Sequence, residues 1–224
     1  MTKSAGKRNS GRLCSLFESL LSEFGPQGWW PVISSRFTVP RLVYHPGDYS
    51  YPKTEEERFQ IVAGALLTQN TSWKNVEKAL LNLHSARNLS PEKVLSLPLS
   101  ELETLIRPAG YFRQKARRLR LLSEACLKAD EDKETDELRQ YFLSINGVGP
   151  ETADSILLYA YGRPSFVIDA YTRRMCSSMN LFQGKSYGDY RNFFQSNLPP
   201  EPKLFNEFHA LIVEWGKRNQ KKPI

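Results

Sequence analysis

The stretch Asp136–Arg174 decides the fold, and it reads DELRQYFLSINGVGPETADSILLYAYGRPSFVIDAYTRR. Apolar residues recur at helical spacing on both sides of Gly147 and Gly149. Those residues are Leu138, Tyr141, Phe142 and Ile145 before the glycines, and Ile156, Leu157 and Ala160 after them. The pattern predicts two helices that are hinged at Gly147–Gly149, the first of them capped by Asp136.

The hinge has the composition of an anion-binding turn. Gly147 and Gly149 permit backbone angles that are closed to other residues and leave their amides uncovered, and Pro150 suits the first position of the second helix. Free N–H groups at the start of a helix attract an anion, for which a phosphate is the obvious candidate. An ordinary corner between two helices has the same composition, so the hinge alone leaves both interpretations open.

A single carboxylate follows the second helix. The short apolar run Ser165–Ile168 leads to Asp169, and the basic pair Arg173 and Arg174 lies just beyond it. An aspartate in this place is either the cap of the next helix or a catalytic group. The pattern around it does not separate these two roles.

The hinge and Asp169 together resemble the helix-hairpin-helix and Gly/Pro-Asp signature of the endonuclease III superfamily of DNA glycosylases. The resemblance implies that Asp169 is the catalytic carboxylate and that the hairpin grips DNA phosphates, often with a monovalent cation on its carbonyl groups. The basic segment from Ile106 to Arg118 adds phosphate contacts in this interpretation. The expected contact residues are Asn146, Gly147, Val148, Gly149, Glu151, Thr152, Arg113 and Lys115.

Composition sets the remaining bounds. The 224 residues carry a formal net charge of +7, which favours polyanionic partners but is weak evidence by itself. The three cysteines have no metal-ligand spacing and are expected to be reduced thiols. No apolar stretch reaches the length of a membrane span, and residues 1–12 are expected to form a disordered basic tail. We therefore expect a cytoplasmic, nucleoid-associated monomer without membrane contact.

Two tryptophans follow the first predicted helix, Leu13–Phe24. Trp29, Trp30 and Pro31 form a loop that either plugs the core or presents a surface on which a base can stack. The next segment, Val32–Lys53, is expected to be a long irregular loop because prolines and glycines break any period.

A buried helix is predicted behind the capping box Thr54–Glu57. It ends at a polar turn that contains Gln69, and Trp73 stands in the first turn of the following helix, behind a Ser72 cap. These polar side chains either cap the helix ends, or Gln69 enters the duplex and fills the space of an extruded nucleotide.

Here the chain resembles the branch of the superfamily that includes 3-methyladenine DNA glycosylase III. The resemblance implies that Trp29, Trp30, Pro31 and Trp73 enclose the damaged base and that Gln69 is the residue wedged into the DNA. It also implies an all-α fold with two helical domains on either side of a DNA-binding cleft. One is a six-helix barrel-like domain, residues 54–161, which ends in the helix-hairpin-helix; the other combines residues 13–53 and 162–224.

The same resemblance predicts the chemistry. Bifunctional members place a lysine in the hairpin where this chain has Glu151, so we expect a monofunctional glycosylase that leaves an abasic site. The expected substrate is an alkylated purine such as 3-methyladenine. No iron–sulfur cluster and no catalytic metal are expected, since the four cysteines of endonuclease III have no counterpart. Some members of the branch carry a lysine in the last helix where this chain has Leu211, and His209 is expected to be a packing histidine.

Three alternatives stay open from the sequence. The chain could excise oxidised pyrimidines, or uracil or thymine from mismatches, on the same scaffold. It could also be a lyase that uses another amine. A DNA-binding module that keeps the hairpin without catalysis is the third alternative.

Overall fold

The computed structural model describes residues 3–34 and 36–219, and helices dominate it. The prediction of an all-α fold is confirmed. The helices are α1 Lys3–Phe24, α2 Glu55–Leu67, α3 Trp73–Ser85, α4 Pro91–Ser96, α5 Leu99–Leu105, α6 Phe112–Lys128, α7 Thr135–Leu143, α8 Pro150–Ser155, α9 Ala170–Ser178, α10 Tyr187–Asn197 and α11 Pro202–Arg218. A 3-10 turn, Arg107–Ala109, precedes α6, and α8 continues as a π-helical turn, Ile156–Ala160.

Two expectations for the first fifty residues were wrong. Helix α1 begins at Lys3, so residues 3–12 are helical where a disordered tail was expected; Met1 and Thr2 lie outside the described residues. The Val32–Lys53 segment contains a small antiparallel sheet, in which β1 (Val32–Ser34) pairs with β2 (Arg41–Val43). The sheet forms because Val32, Ile33 and Leu42 are buried against the rest of the core.

The helix starts agree only in part with the capping signals. Thr54 caps α2, since its Oγ1 accepts a hydrogen bond of 3.1 Å from the amide of Glu57. Helix α5 has no side-chain cap, because it begins at Leu99 directly after Pro98. Helix α7 likewise begins at Thr135, one residue before the expected Asp136 cap.

The core brings the hairpin and the end of α2 to one place. Helix α2 is almost wholly buried and packs against α3, α6, α8 and the π-helical turn, while α1 packs against α10 and α11. The division of the chain into two domains remains a prediction. No helix in the described ranges is long and apolar enough to cross a membrane.

A buried ion cluster fixes the segment that leads to Asp169. Asp154 of α8 is fully buried and receives bonds of 2.6 and 3.1 Å from the guanidinium of Arg139, while Arg191 of α10 lies 3.6 Å away. The hydroxyl of Ser165 donates to the same carboxylate at 2.6 Å. Because breaking a buried ion pair is costly, this cluster holds α7, α8, α10 and the Ser165–Ile168 run in one arrangement.

Candidate active site

A cavity of about 610 Å³ lies where the end of α2, the start of α8, the Trp29–Trp30 loop and α11 meet. This volume is in the usual range for a small-molecule site. The predicted residues on its wall are Trp29, Trp30, Pro31, Gln69, Trp73, Glu151, Thr152 and Asp169. The structure therefore brings together residues that are up to 140 positions apart in the chain.

Asp169 contributes a mostly buried carboxylate to this cavity. Asp169 is the N-cap of α9. Its Oδ1 accepts hydrogen bonds from the amide of Thr172 at 2.7 Å and from the hydroxyl of Thr172 at 2.9 Å. The side chain keeps 15% exposure, so a ligand in the cavity can reach it. Burial acts to raise the pKa of Asp169, but His209 and the Thr172 bonds outweigh it, and the pKa is lowered. The carboxylate is therefore ionised at neutral pH.

His209 of α11 lies against this carboxylate. Its Nε2 is 3.6 Å from Oδ2 of Asp169, and its Nδ1 is 2.6 Å from the hydroxyl oxygen of Tyr159. Burial, reinforced by the negative charges of Asp169 and Glu207, raises the pKa of Tyr159 far above its usual value. The expected packing histidine is thus in contact with the predicted catalytic group.

Glu151 occupies the hairpin position at which, by the resemblance described above, bifunctional glycosylases have a lysine. Its carboxyl group faces the same cavity as Asp169. Desolvation by the surrounding walls and the negative charge of Asp169 raise the pKa of Glu151. The cavity thus holds two carboxyl groups whose pKa values are displaced in opposite directions, a pattern that is typical of sites where acids have different roles.

The aromatic wall differs from the sandwich that the resemblance implied. Trp30 is 6% exposed and meets Trp73 edge to face, with ring centroids 5.4 Å apart and planes at 77°. A base stacked between two rings needs parallel faces, so no base fits between Trp30 and Trp73 in this arrangement. Trp29 and Trp73 are half-buried and keep surface toward the cavity. Trp30 instead supports them, packing also on Tyr159 at 5.2 Å.

Gln69 connects the turn after α2 with the hairpin. Its Nε2 donates to the carbonyl oxygen of Gly147 at 3.0 Å and to Oγ1 of Thr152 at 2.9 Å. Arg118 of α6 reaches Oε1 of Gln69 at 3.4 Å. The predicted wedge residue is therefore held on the cavity wall by the hairpin itself.

The hairpin needs its first glycine for two reasons. Gly147 has a φ of +91°, and a Cβ atom there would lie 2.3 Å from Cδ of Arg118. Gly149 is the N-cap of α8 and has open space where a Cβ would be placed. The amides in the first turn of a helix have no intrahelical acceptor, so the start of α8 offers donors to an anion. The amide of Val148 is not among these donors, because it is bonded to the carbonyl oxygen of Ile145 at 3.0 Å.

The structure contradicts the phosphate contact predicted for Lys115. Its side chain is 2% exposed, and Nζ donates at 2.8 Å to the carbonyl oxygens of Leu67 and Ala109. Burial and the charge of Arg118 lower its pKa to about 8. Lys115 thus holds the end of α2 beside Gln69, whereas Arg113 is exposed on the surface of α6, and Asn146 is exposed in the hairpin.

Sequence reasoning missed several residues of this site. Tyr159 lies in an apolar run that predicts only a core position. Lys217 and Tyr44 stand in segments without a motif, yet Lys217 and Tyr44 line the cavity.

The described residues contain neither a candidate metal site nor a reactive thiol pair. Within them, no group of three or more His, Cys, Asp or Glu side chains could hold a metal ion. The three cysteines are free, and burial raises the pKa of Cys126 and Cys176 to about 12, so these two stay protonated.

The fold and the site define a helix-hairpin-helix DNA glycosylase, an enzyme that hydrolyses N-glycosyl bonds. Residues 63–200 match the HhH-GPD superfamily of base excision DNA repair proteins, and the chain belongs to this family. This membership removes the non-catalytic alternative.

Three relatives agree with this assignment. The chain is 42% identical over 212 residues to a Methanocaldococcus jannaschii protein called "Putative DNA repair glycosylase MJ1434", covering 91% of this chain and 86% of the relative. It is 29% identical to endonuclease III of Sulfolobus acidocaldarius, covering 74% and 76%. Among solved structures, it is similar to H. pylori 3-methyladenine DNA glycosylase (MagIII) bound to 1,N6-ethenoadenine, with a TM-score of 0.69, 27% identity, and coverage of 98% and 99%.

Proposed function

We propose that the protein is a monofunctional glycosylase that excises an alkylated purine such as 3-methyladenine from damaged double-stranded DNA and leaves an abasic site. The observation that carries the proposal is the ionised carboxylate of Asp169 in an aromatic-walled cavity whose hairpin position holds Glu151. The similar H. pylori enzyme, bound to an ethenoadenine, supports the same substrate class.

The reaction rests on Asp169. Cleavage of the N-glycosidic bond develops positive charge on the deoxyribose, and a fixed carboxylate stabilises that charge or orients the attacking water. The side chain of Glu151 cannot form a Schiff base with the sugar, so the reaction ends with hydrolysis. No metal and no iron–sulfur cluster take part in the proposed mechanism.

Substrate selection rests on the aromatic wall. An N-alkylated purine is cationic before it leaves, so it needs little help from an acid. The exposed faces of Trp29 and Trp73 attract such a cation, with about 0.5–2 kcal/mol available in each good contact. Damaged and poorly paired bases also leave the stack more easily, which adds to the selection.

DNA is held by the hairpin in this proposal. The amides at the start of α8 bind a phosphate, a monovalent cation can sit on the hairpin carbonyl groups, and exposed Arg113 adds charge nearby. Gln69 fills the space that the extruded nucleotide leaves in this proposal, and its hydrogen bond to the carbonyl oxygen of Gly147 supports the role.

One experiment tests substrate and reaction class together. Duplexes that carry alkylated, oxidised, deaminated or mismatched bases are incubated with the enzyme, and half of each sample is then treated with alkali. We expect release of 3-methyladenine, with strand breaks only after alkali. Release of oxidised pyrimidines or of mismatched uracil or thymine, without alkylated purines, would contradict the proposed substrate.

A second candidate is a lyase that uses Lys217. This residue is the one lysine on the cavity wall within the described ranges, and its Nζ lies 5.8 Å from the centre of the Trp29 ring. Strand breaks without alkali, together with borohydride trapping that Lys217→Met abolishes, would establish this candidate.

A further inference from the structure

The last helix contributes one face to two parts of the site. Asn206 donates from Nδ2 to the carbonyl oxygen of Trp29 at 2.9 Å, and Glu207 accepts from the amide of Gln27 at 2.7 Å. His209 comes one helical turn later and lies edge to face with the Trp29 ring at 5.8 Å. Helix α11 therefore fixes the aromatic loop and approaches Asp169 with the same surface.

The ring nitrogens of His209 have one neighbour each. Nδ1 lies 2.6 Å from the Tyr159 hydroxyl, and Nε2 points to Oδ2 of Asp169 at 3.6 Å. The residue is 4% exposed, and Nε2 has no partner within hydrogen-bond distance among the described residues. A buried polar atom that faces only a carboxylate is more than a packing group, because its orientation would otherwise be unfavourable.

The two neighbours of the His209 ring bear on which of its nitrogens faces Asp169 as a donor. Tyr159 is fully buried and keeps its own proton, because its pKa is raised far above the usual value. A proton on Nε2 would face the negative charge of Asp169, whereas a lone pair there would be repelled by it, so the geometry favours the donor on Nε2. Nδ1 then accepts from the Tyr159 hydroxyl, which lies 2.6 Å away.

We propose that His209 is a positioning residue for Asp169, whose Nε2–H orients Oδ2 of the carboxylate in a tautomer supported by Tyr159. Thr172 holds the other oxygen, so the plane of the carboxylate is defined from both sides. This inference rests on the proposed function, in which Asp169 stabilises charge on the sugar. A carboxylate held within a narrow range of orientations stabilises that charge without reorganisation during the reaction.

Several other charged or titratable groups surround this pair and belong to the same electrostatic environment. They are Glu151 on α8, Tyr159 on the π-helical turn, Tyr171 and Arg173 on α9, and Glu207 and Lys217 on α11. Substitutions at His209 leave these groups in place, so a change in the titration of Asp169 can be attributed to the histidine.

The test compares His209→Met, which fills the space without a donor, with His209→Gln, which restores an N–H group at similar reach. We expect His209→Met to lower the single-turnover excision rate about 10- to 100-fold at unchanged DNA affinity. The acid limb of its pH–rate profile should move to higher pH, since the donor no longer favours the ionised form of Asp169. His209→Gln should recover most of the rate, and Tyr159→Phe should show a smaller change in the same direction.

His84→Met serves as the matched control, because His84 lies on α3 next to Glu56, and that variant should behave as wild type. Equal loss of rate in His209→Met and His209→Gln, with equal loss of thermal stability, would assign a packing role and overturn the inference. A wild-type rate and pH profile in His209→Met or Tyr159→Phe would overturn it as well.

A carboxyl carbon NMR titration separates this inference from the proposed function. The titration midpoint of Asp169 should be higher in His209→Met than in wild type, whether or not any lesion is excised. An unchanged midpoint overturns the positioning role, whereas an inactive wild-type enzyme with a shifted midpoint overturns only the proposed substrate and reaction.

Discussion

The side-chain amide of Gln69 donates a hydrogen bond of 3.0 Å to the carbonyl oxygen of Gly147. This bond joins the turn after α2 to the hairpin, two parts of the chain that are 78 residues apart. The residue expected to enter the DNA and the turn expected to hold a phosphate are therefore coupled before any DNA is bound. A duplex seated on the hairpin would meet Gln69 at a fixed place.

Gln69→Ala should lower excision from a fully paired duplex by about tenfold or more, because nothing then fills the emptied stack. The loss should be smaller where the lesion is mispaired, since such a base leaves the stack easily. Each lost hydrogen bond also costs about 1 kcal/mol of stability. Asn82→Ala is the control, as its amide bonds the carbonyl oxygen of Leu105 away from the cavity. Equal excision losses with paired and mispaired lesions would count against the wedge role.

Asp169→Asn should reduce the single-turnover excision rate by about 10²- to 10³-fold while DNA affinity is retained. Asparagine is as good an N-cap as aspartate, so the start of α9 should be preserved. The measurement is base release from the preferred lesion under single-turnover conditions, with affinity measured on the same duplex. Normal excision by this variant would show that the proposed mechanism is wrong.

Glu151→Gln should leave the acid limb of the pH–rate profile in place. The pKa of Glu151 is raised and that of Asp169 is lowered, so Glu151 is still protonated and uncharged over the pH range in which Asp169 ionises. The lowered pKa also means that ionised Asp169 stabilises the folded protein. This stabilisation is present above pH 3.8, the usual pKa of the group, and is lost as pH falls through the lower pKa of the folded protein. Glu137→Gln, on the surface of α7, is the control. A limb that moves in Glu151→Gln but not in Glu137→Gln would show that the two carboxyl groups titrate in the same pH range, and it would contradict this order of their pKa values.

Trp73→Ala should lower excision of cationic bases far more than it lowers affinity for undamaged DNA. The exposed part of the Trp73 ring contacts the cavity, and its loss removes about 0.5–2 kcal/mol of attraction for a cation. Trp73→Phe keeps an aromatic ring, and its excision of cationic bases should lie between that of wild type and that of Trp73→Ala. Parallel losses of excision and of non-specific affinity would indicate that Trp73 is only a support for Trp30.

Gly149→Glu should weaken binding to DNA of every sequence and reduce the dependence of affinity on salt. The site has room for a side chain, so the variant should fold, but its carboxylate would face the phosphate expected at the amides of α8. Gly149→Ala fits the same space without charge and should bind almost as wild type. Unchanged affinity and salt slope in Gly149→Glu would exclude the hairpin as the phosphate site.

The sequence by itself determined the helices and the family. Helical spacing of apolar residues predicted most of the helices, and the Gly147–Gly149 hinge with Asp169 indicated the superfamily, because both signals are local. The sheet of β1 and β2 was not predicted because three-residue strands are too short to show an alternation of apolar and polar residues. Burial of Val32 and Leu42 in the tertiary structure stabilises these strands. The disordered tail was wrong because composition says little about helix formation next to a stable helix.

Only the tertiary structure decided how the site residues meet. Lys115 looks like a surface cation in a basic segment, yet it is buried against the end of α2. Trp30 and Trp73 share an edge-to-face contact that no spacing in the sequence could show. His209 lies on an apolar helix face, and its contact with Asp169 depends on the packing of α11 against α9. The physical reason is the same for all three: local pattern determines a residue's own helix, whereas its partners depend on how distant helices pack.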